Sequence, residues 1–151
     1  MKLFFPGSFD PFTIGHADLV ERALNLGCEV VIAVGINEAK KPLLSTEQRM
    51  EAIRNYYKGY SRVSVIEDKG LTVDAVRANG CDAILRGIRS VTDYDKERNL
   101  ADINRSIDGV ETVLLVSSPA VQHVSSSLVR ELISLGRNAD NLMIDTFKPY
   151  L

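Results

Sequence analysis

Several cationic and hydroxyl side chains fall where they could hold phosphate. The segment Phe5-Pro6-Gly7-Ser8-Phe9-Asp10-Pro11-Phe12-Thr13-Ile14-Gly15-His16 sets a glycine loop and a histidine between an apolar run and a helical pattern. Gly7 lets backbone come close to a ligand. His16 falls in the first helical turn, where free N–H groups and the positive end of the helix dipole already favour an anion, and its imidazole adds a directional donor. Arg86-Gly87-Ile88-Arg89 follows a short apolar run. An arginine in that position aims its guanidinium at the ligand edge of a sheet, and the planar fork suits bidentate phosphate binding. Lys40-Lys41-Pro42 adds positive charge in a loop, and Ser125-Ser126-Ser127 precedes another helical pattern. Those serines read either as an N-cap alone or as a second helix N-terminus that binds phosphate oxygens. The lysines read equally as solvated loop charges, and His16 as an ordinary strand-turn-helix corner. No paired carboxylates and no Ser-His-Asp arrangement accompany the cations, so the chemistry they suit is positioning and charge neutralisation at phosphorus.

The elements that must position these groups alternate between strand and helix. Lys2 to Phe5 forms a short buried strand. From Thr13, an N-cap candidate, Ala17, Leu19, Val20, Ala23, Leu24 and Leu26 recur at helical spacing until Gly27. Glu29 to Val34 is a β-branched run suited to burial on both faces. Ser45-Thr46-Glu47-Gln48 has capping-box form and opens a helix to Tyr57. Val63 to Ile66 reads as the third strand, Thr72 as the cap of a helix to Asn79, and Ala83 to Leu85 as the fourth strand. A helix follows from near Asp93 to Ser106, then a fifth strand, Thr112 to Val116, and a helix from the serines to Leu135. The tail from Asn138 has only a weak helical pattern. Such alternation predicts an α/β fold, a Rossmann-like, doubly wound, five-stranded parallel sheet with helices on both faces. In the order 3-2-1-4-5 the ends of strands one and four flank the reversal, where ligands bind. That edge collects Ser8, His16, Lys40, Thr72, Arg86, Arg89 and the serines.

The 151 residues suit a single domain, 1–151, with a core that needs no cofactor or disulfide. Net charge is −2, which gives no general basic excess for nucleic acid, and the apolar runs are too short for a membrane span. A cytoplasmic protein with no nucleic-acid or membrane partner is the expectation. The two cysteines, Cys28 and Cys81, each follow a helix-ending glycine and read as small buried thiols. Asp93-Tyr94-Asp95-Lys96-Glu97-Arg98 reads as a solvated helix face, and His123 as either a ligand or a structural loop residue.

Thr13-Ile14-Gly15-His16 fits the His/Thr-x-Gly-His signature of nucleotidylyltransferases, which join a nucleotide to a phosphate and release pyrophosphate. Together with Pro6-Gly7-Ser8-Phe9-Asp10-Pro11, Lys40-Lys41-Pro42, Arg86-Gly87-Ile88-Arg89, Asp93-Tyr94, Glu97 and Ser125-Ser126-Ser127-Leu128-Val129-Arg130-Glu131, it makes nearly the whole chain resemble the bacterial phosphopantetheine adenylyltransferases. The resemblance implies transfer of AMP from ATP to 4'-phosphopantetheine, giving dephospho-coenzyme A and pyrophosphate in coenzyme A synthesis. It implies catalytic roles for His16, Lys40 and Arg89. ATP contacts are implied for Ser8, Phe9, His16, Gly87, Ile88, Arg89, Glu97, Val121, Gln122, His123, Val124, Ser125, Ser126 and Ser127. Ser8, Lys40, Thr72 and Arg86 match positions on the phosphopantetheine side. Family members use Mg2+ with ATP, with no protein metal ligand assigned here, and are commonly homohexamers that also meet dephospho-coenzyme A and coenzyme A. Relatives often carry an aromatic residue and Ser-Phe-Ile before the triple serine, whereas this chain reads Val121-Gln122-His123-Val124. Alternatives are a related enzyme with another acceptor, such as nicotinate mononucleotide or glycerol 3-phosphate, and a non-catalytic nucleotide-binding module.

Overall fold

The computed structural model describes residues 1–36 and 41–151. Five strands, β1 (Lys2–Gly7), β2 (Glu29–Gly35), β3 (Val63–Asp68), β4 (Ala83–Ile88) and β5 (Glu111–Val116), alternate with α1 (Ile14–Asn25), α2 (Thr46–Tyr56), α3 (Thr72–Ala78), α4 (Val91–Asp108) and α5 (Ser126–Ser134). All pair in parallel in the order β3-β2-β1-β4-β5, as expected from the sequence. The strand pleat explains the continuous apolar runs. Leu3, Phe5, Val30, Ile32, Val34, Ala83 and Leu85 pack on one face with α1, α2 and α5, while Phe4, Val31, Ala33 and Ile84 pack on the other with Val73 and Val76 of α3. Cys28 and Cys81 are buried free thiols.

One ladder is shorter than the rest. The β1–β2, β2–β3 and β4–β5 ladders each register six residue pairs, but β1 and β4 register only Leu3 with Ala83 and Phe4 with Ile84. Beyond those pairs the two strands part. Pro6 brings no N–H to either neighbour, and the split opens at the point where strand order reverses, the usual ligand edge of such a sheet.

Several boundaries differ from the sequence expectation, and these bear on the site or the tail. β1 continues to Gly7 and β4 to Ile88, so Arg86 lies within its strand rather than after it. α4 begins at Val91, before Asp93, because the Ser90 hydroxyl accepts from the Asp93 N–H at 3.2 Å. Thr72 does not cap α3: Leu71 holds that position without a side-chain hydrogen bond, and Thr72 is the first helical residue. The tail forms 3-10 turns at Asp140–Leu142 and Asp145–Tyr150, which explains its missing α periodicity. It nevertheless braces the segment before α1, with Phe147 buried, Thr13 bridged to Met143, and the Ile144 N–H donating to the Phe12 carbonyl at 3.3 Å. Among the described residues no helix is long and apolar enough to cross a membrane.

Candidate functional site

His16 is fixed by the cap of its own helix. The Thr13 hydroxyl accepts from the His16 N–H at 3.3 Å, and His16 Nδ1 accepts from the Thr13 N–H at 3.0 Å. This is a capping box in which an imidazole replaces the usual Glu or Gln. Since the Thr13 amide can only donate, Nδ1 is the acceptor and the ring proton sits on Nε2. Phe5, Phe9 and Phe12 surround the ring, with centroids 6.1, 5.0 and 5.2 Å away. Burial, then Arg86 and Arg89, pull its pKa from the ordinary 6.5 to about 3. At neutral pH His16 is therefore an uncharged imidazole with a set donor.

Arg86 bridges the parted strands. Its Nη1 donates to the Pro6 carbonyl at 2.8 Å, while Nε and Nη2 make a bidentate pair with Glu97 at 2.9 and 2.8 Å. Glu97 is the only buried residue of α4, which corrects the solvated-face reading for that residue, while Tyr94, Asp95, Lys96 and Arg98 are exposed as expected. The Cβ that Gly87 lacks would overlap the Leu19 side chain, so glycine here lets β4 lie close on α1. Arg89 is tethered near the surface, its Nε 3.4 Å from Asp93 Oδ2 and its Nη1 3.4 Å from the Val124 carbonyl.

Two cavities meet at the Arg86–Glu97 pair. The first, of about 330 Å³, is lined by Ser8, Phe9, His16, Gly87, Arg89, Glu97, Val121, Val124 and all three serines. His16 and Arg89 thus share one cavity. Of the residues matched to nucleotide binding, Ile88, Gln122 and His123 do not line it. Gln122 instead donates its side-chain amide to the Arg89 carbonyl at 3.0 Å, and His123 is exposed. The second cavity, of about 400 Å³, is lined by Ser8, Thr72 and Arg86 along with Leu100, Asn104 and Thr112. Pro6, Gly7, Ser8, Arg86 and Glu97 border both. Lys40 lies outside the described residues.

The serine run does cap a helix. Ser125 is the N-cap of α5, its hydroxyl accepting from the Leu128 N–H at 3.1 Å, and the run also lines the first cavity. Ser126 donates to the Pro11 carbonyl at 2.7 Å, which ties this helix start to the His16 loop.

Two arginines received no role in the sequence reading. Arg130 lines the first cavity, with Nη1 on the Asp10 carbonyl at 2.9 Å and Nη2 on the Ser127 hydroxyl at 3.2 Å. Its spacing of three residues from Ser127, which puts both on one helix face, was a usable signal. Arg49 is buried at 2% exposure beneath the Ser8 loop. Its only trace was a charge standing one turn before Ala52 and Ile53 on the buried face of α2.

A cytidylyltransferase-like family model matches residues 4–132. A Porphyromonas gingivalis (strain ATCC 33277) protein named phosphopantetheine adenylyltransferase is 52% identical over 143 residues, 95% of this chain and 94% of its own. The chain belongs to the phosphopantetheine adenylyltransferase family. Family members of the same name from Bacteroides fragilis and Limosilactobacillus reuteri are 48% and 44% identical, over 92% and 87% of this chain and 91% and 77% of theirs. Beyond the family, the fold is similar to that of a bifunctional NMN adenylyltransferase/ADP ribose pyrophosphatase from Francisella tularensis, solved with AMP and a Mn ion. The TM-score is 0.69 at 17% identity, over 94% of this chain and 44% of that longer one.

Proposed function

We propose that the protein transfers AMP from ATP to 4'-phosphopantetheine, yielding dephospho-coenzyme A and pyrophosphate, with residues 1–151 acting as one catalytic domain. The observation that carries this reading is the meeting of two cavities at Ser8 and Arg86, with His16 and Arg89 in the first. The nucleotide occupies the first cavity and the acceptor the second, so the acceptor phosphate arrives where the two join. An oxygen of that phosphate attacks the α-phosphorus of ATP, the α-phosphorus bond to the bridging oxygen breaks, and the electron pair leaves on pyrophosphate. The nucleophile is already an anion at neutral pH, so the chain supplies no base. It supplies positioning and cancellation of charge.

In this reading Nε2 of His16 donates to an oxygen on which charge grows. Arg89, Arg130 and the N-terminus of α5 hold the triphosphate, and Arg86 meets the acceptor. Lys40 receives its acceptor-side and catalytic roles from the family resemblance alone. Among the described residues no group of three or more His, Cys, Asp or Glu side chains is placed to hold a metal ion. The carboxylates of Asp93 and Glu97 face arginines instead. In this reading Mg2+ enters with the substrate as Mg-ATP.

Incubating the purified protein with Mg-ATP and 4'-phosphopantetheine should release pyrophosphate. Nicotinate mononucleotide and glycerol 3-phosphate should release little, and chelating the magnesium should stop the reaction. A faster reaction with another acceptor would overturn the assignment of 4'-phosphopantetheine.

We also propose a homohexamer in the cytoplasm. Val91, Tyr94, Leu100, Ile103 and Ile107 leave α4 with large exposed apolar side chains, as a helix covered by another copy would have. The buried, unpaired Cys28 and Cys81 suit a reducing compartment. Light scattering should give six times the chain mass, and a monomer at micromolar concentration would refute the assembly.

A further inference from the structure

The peptide joining Ser8 to Phe9 is held in an uncommon orientation. Phe9 has φ of 49°, in the left-handed region that a phenylalanine rarely visits. Its ring packs edge-on against Phe5 and lies over Gly7, where a Cβ would come within 2.8 Å of ring carbons. Ring packing fixes the side chain. It does not say what turns the peptide.

Arg49 supplies the grip. Its Nη1 donates to the Ser8 carbonyl, and also to the Gly35 carbonyl at 3.0 Å. Nε donates to the Leu44 carbonyl at 3.2 Å and Nη2 to the Thr46 hydroxyl at 2.9 Å. One buried guanidinium thus ties the end of β1, the end of β2 and the start of α2 together. Among the described residues Arg49 forms no ion pair. Asp10 is occupied instead by the Leu43 and Leu44 amides at 2.7 and 3.0 Å.

The Ser8–Phe9 peptide is trans, so a carbonyl turned toward Arg49 turns the Phe9 N–H the opposite way. That N–H meets no acceptor among the described residues. Ser8 and Phe9 line the first cavity, whereas Arg49 does not. We infer that Arg49 is a positioning residue, which holds this peptide so that the Phe9 amide donates to an anionic phosphate oxygen of the bound nucleotide. The inference rests on the nucleotide site proposed above. A guanidinium on the carbonyl also polarises the peptide and strengthens its amide as a donor. A donor set before the ligand arrives needs no reorganisation when charge develops.

The test follows the Phe9 amide directly. Protein labelled with ¹⁵N-phenylalanine, of which the chain has five, is titrated with Mg-ATP. In the wild type the Phe9 amide proton should move downfield, while the amides of Phe4 and Phe147 should stay in place. Arg49→Met should lose at least about half of that movement, and kcat should fall about 10- to 100-fold with the acceptor KM changed less than about threefold, a smaller effect than deleting an oxyanion donor outright. Arg49→Lys, which keeps the charge but not the fork, should show a partial loss on both measures and gives the reading if Arg49→Met does not fold. Ile53→Ala, a core change in the same helix, should keep both the Phe9 response and kcat at a temperature where it is folded.

A Phe9 amide that ignores Mg-ATP in the wild type would overturn the inference. So would Arg49 variants that respond as the wild type does, or an Ile53→Ala variant that loses as much. Failure of pyrophosphate release with an intact, Arg49-dependent Phe9 response would overturn the proposed reaction and leave the role of Arg49 standing.

Discussion

His16→Ala should lower kcat by about 10²- to 10³-fold while changing the affinity for ATP less than about threefold, the pattern expected for removal of a donor used mainly in the transition state. The ring reaches the cavity as a neutral Nε2–H donor because Nδ1 is taken by the Thr13 amide and because burial and two arginines hold the pKa near 3. Ground-state phosphates already meet Arg89, Arg130 and the α5 N-terminus in the proposed complex, so losing one neutral donor costs little binding. Single-turnover kinetics with isothermal titration separates the two quantities. Equal losses in both would make His16 a binding group only.

The same residue predicts how stability depends on pH. In the folded chain its pKa lies at about 3 and in the unfolded chain near the ordinary 6.5. Between those values the unfolded state binds a proton that the folded state refuses, so this group's contribution to stability rises with pH across that window and is lost as pH falls. At about pH 7.5 His16→Ala should be less stable by about 1 kcal/mol through loss of the cap. At about pH 4.5 that deficit should shrink or reverse, because alanine takes up no proton on unfolding. Urea midpoints at the two pH values check this, and a deficit that grows on acidification would contradict the buried, neutral assignment.

The second large effect is expected at Arg86. Arg86→Ala leaves Glu97, 6% exposed, without its counter-ion and removes the side chain that spans β1 and β4. Breaking a fully buried pair costs about 3 to 5 kcal/mol. Arg86 keeps 30% side-chain exposure, so water screens part of the loss and about 2 kcal/mol is expected here. Activity should fall by more than about 10³-fold, since a cation at the junction of the cavities disappears while an anion remains there to repel phosphate. Removing Glu97 as well should restore much of the stability without restoring turnover. Urea melts and pyrophosphate release on both single variants and the double variant form the cycle, and a double variant that regains activity would contradict the role given to Arg86.

How much of this was readable from residues alone depends on the range of the interaction. The strands were legible because burial on both sheet faces leaves unbroken runs such as Val30 to Val34, and the phosphate edge was legible because His16 and the serines each follow a strand and Arg86 follows an apolar run. Thr13 read correctly as a cap, since capping acts within four residues. Glu97 did not read correctly. Its environment is set by an arginine on a different element, and a run of charges gives no sign of which member turns inward. Arg49 was hidden for the same reason, its four partners lying on the β1 and β2 ends and the start of α2. His16 as the closing member of a capping box was missed because the familiar form of that motif uses Glu or Gln.

The brief β1–β4 ladder has a mechanical consequence. Two registered pairs, Leu3 with Ala83 and Phe4 with Ile84, serve as a fulcrum for the arms that carry Gly7 and Gly87 to opposite sides of the opening. Bulk added at Ala83, which packs in the apolar core, should be magnified toward the tips. The width of the opening should therefore respond to leverage from the hydrophobic interior, acting against the Arg86 bond to the Pro6 carbonyl that spans the gap.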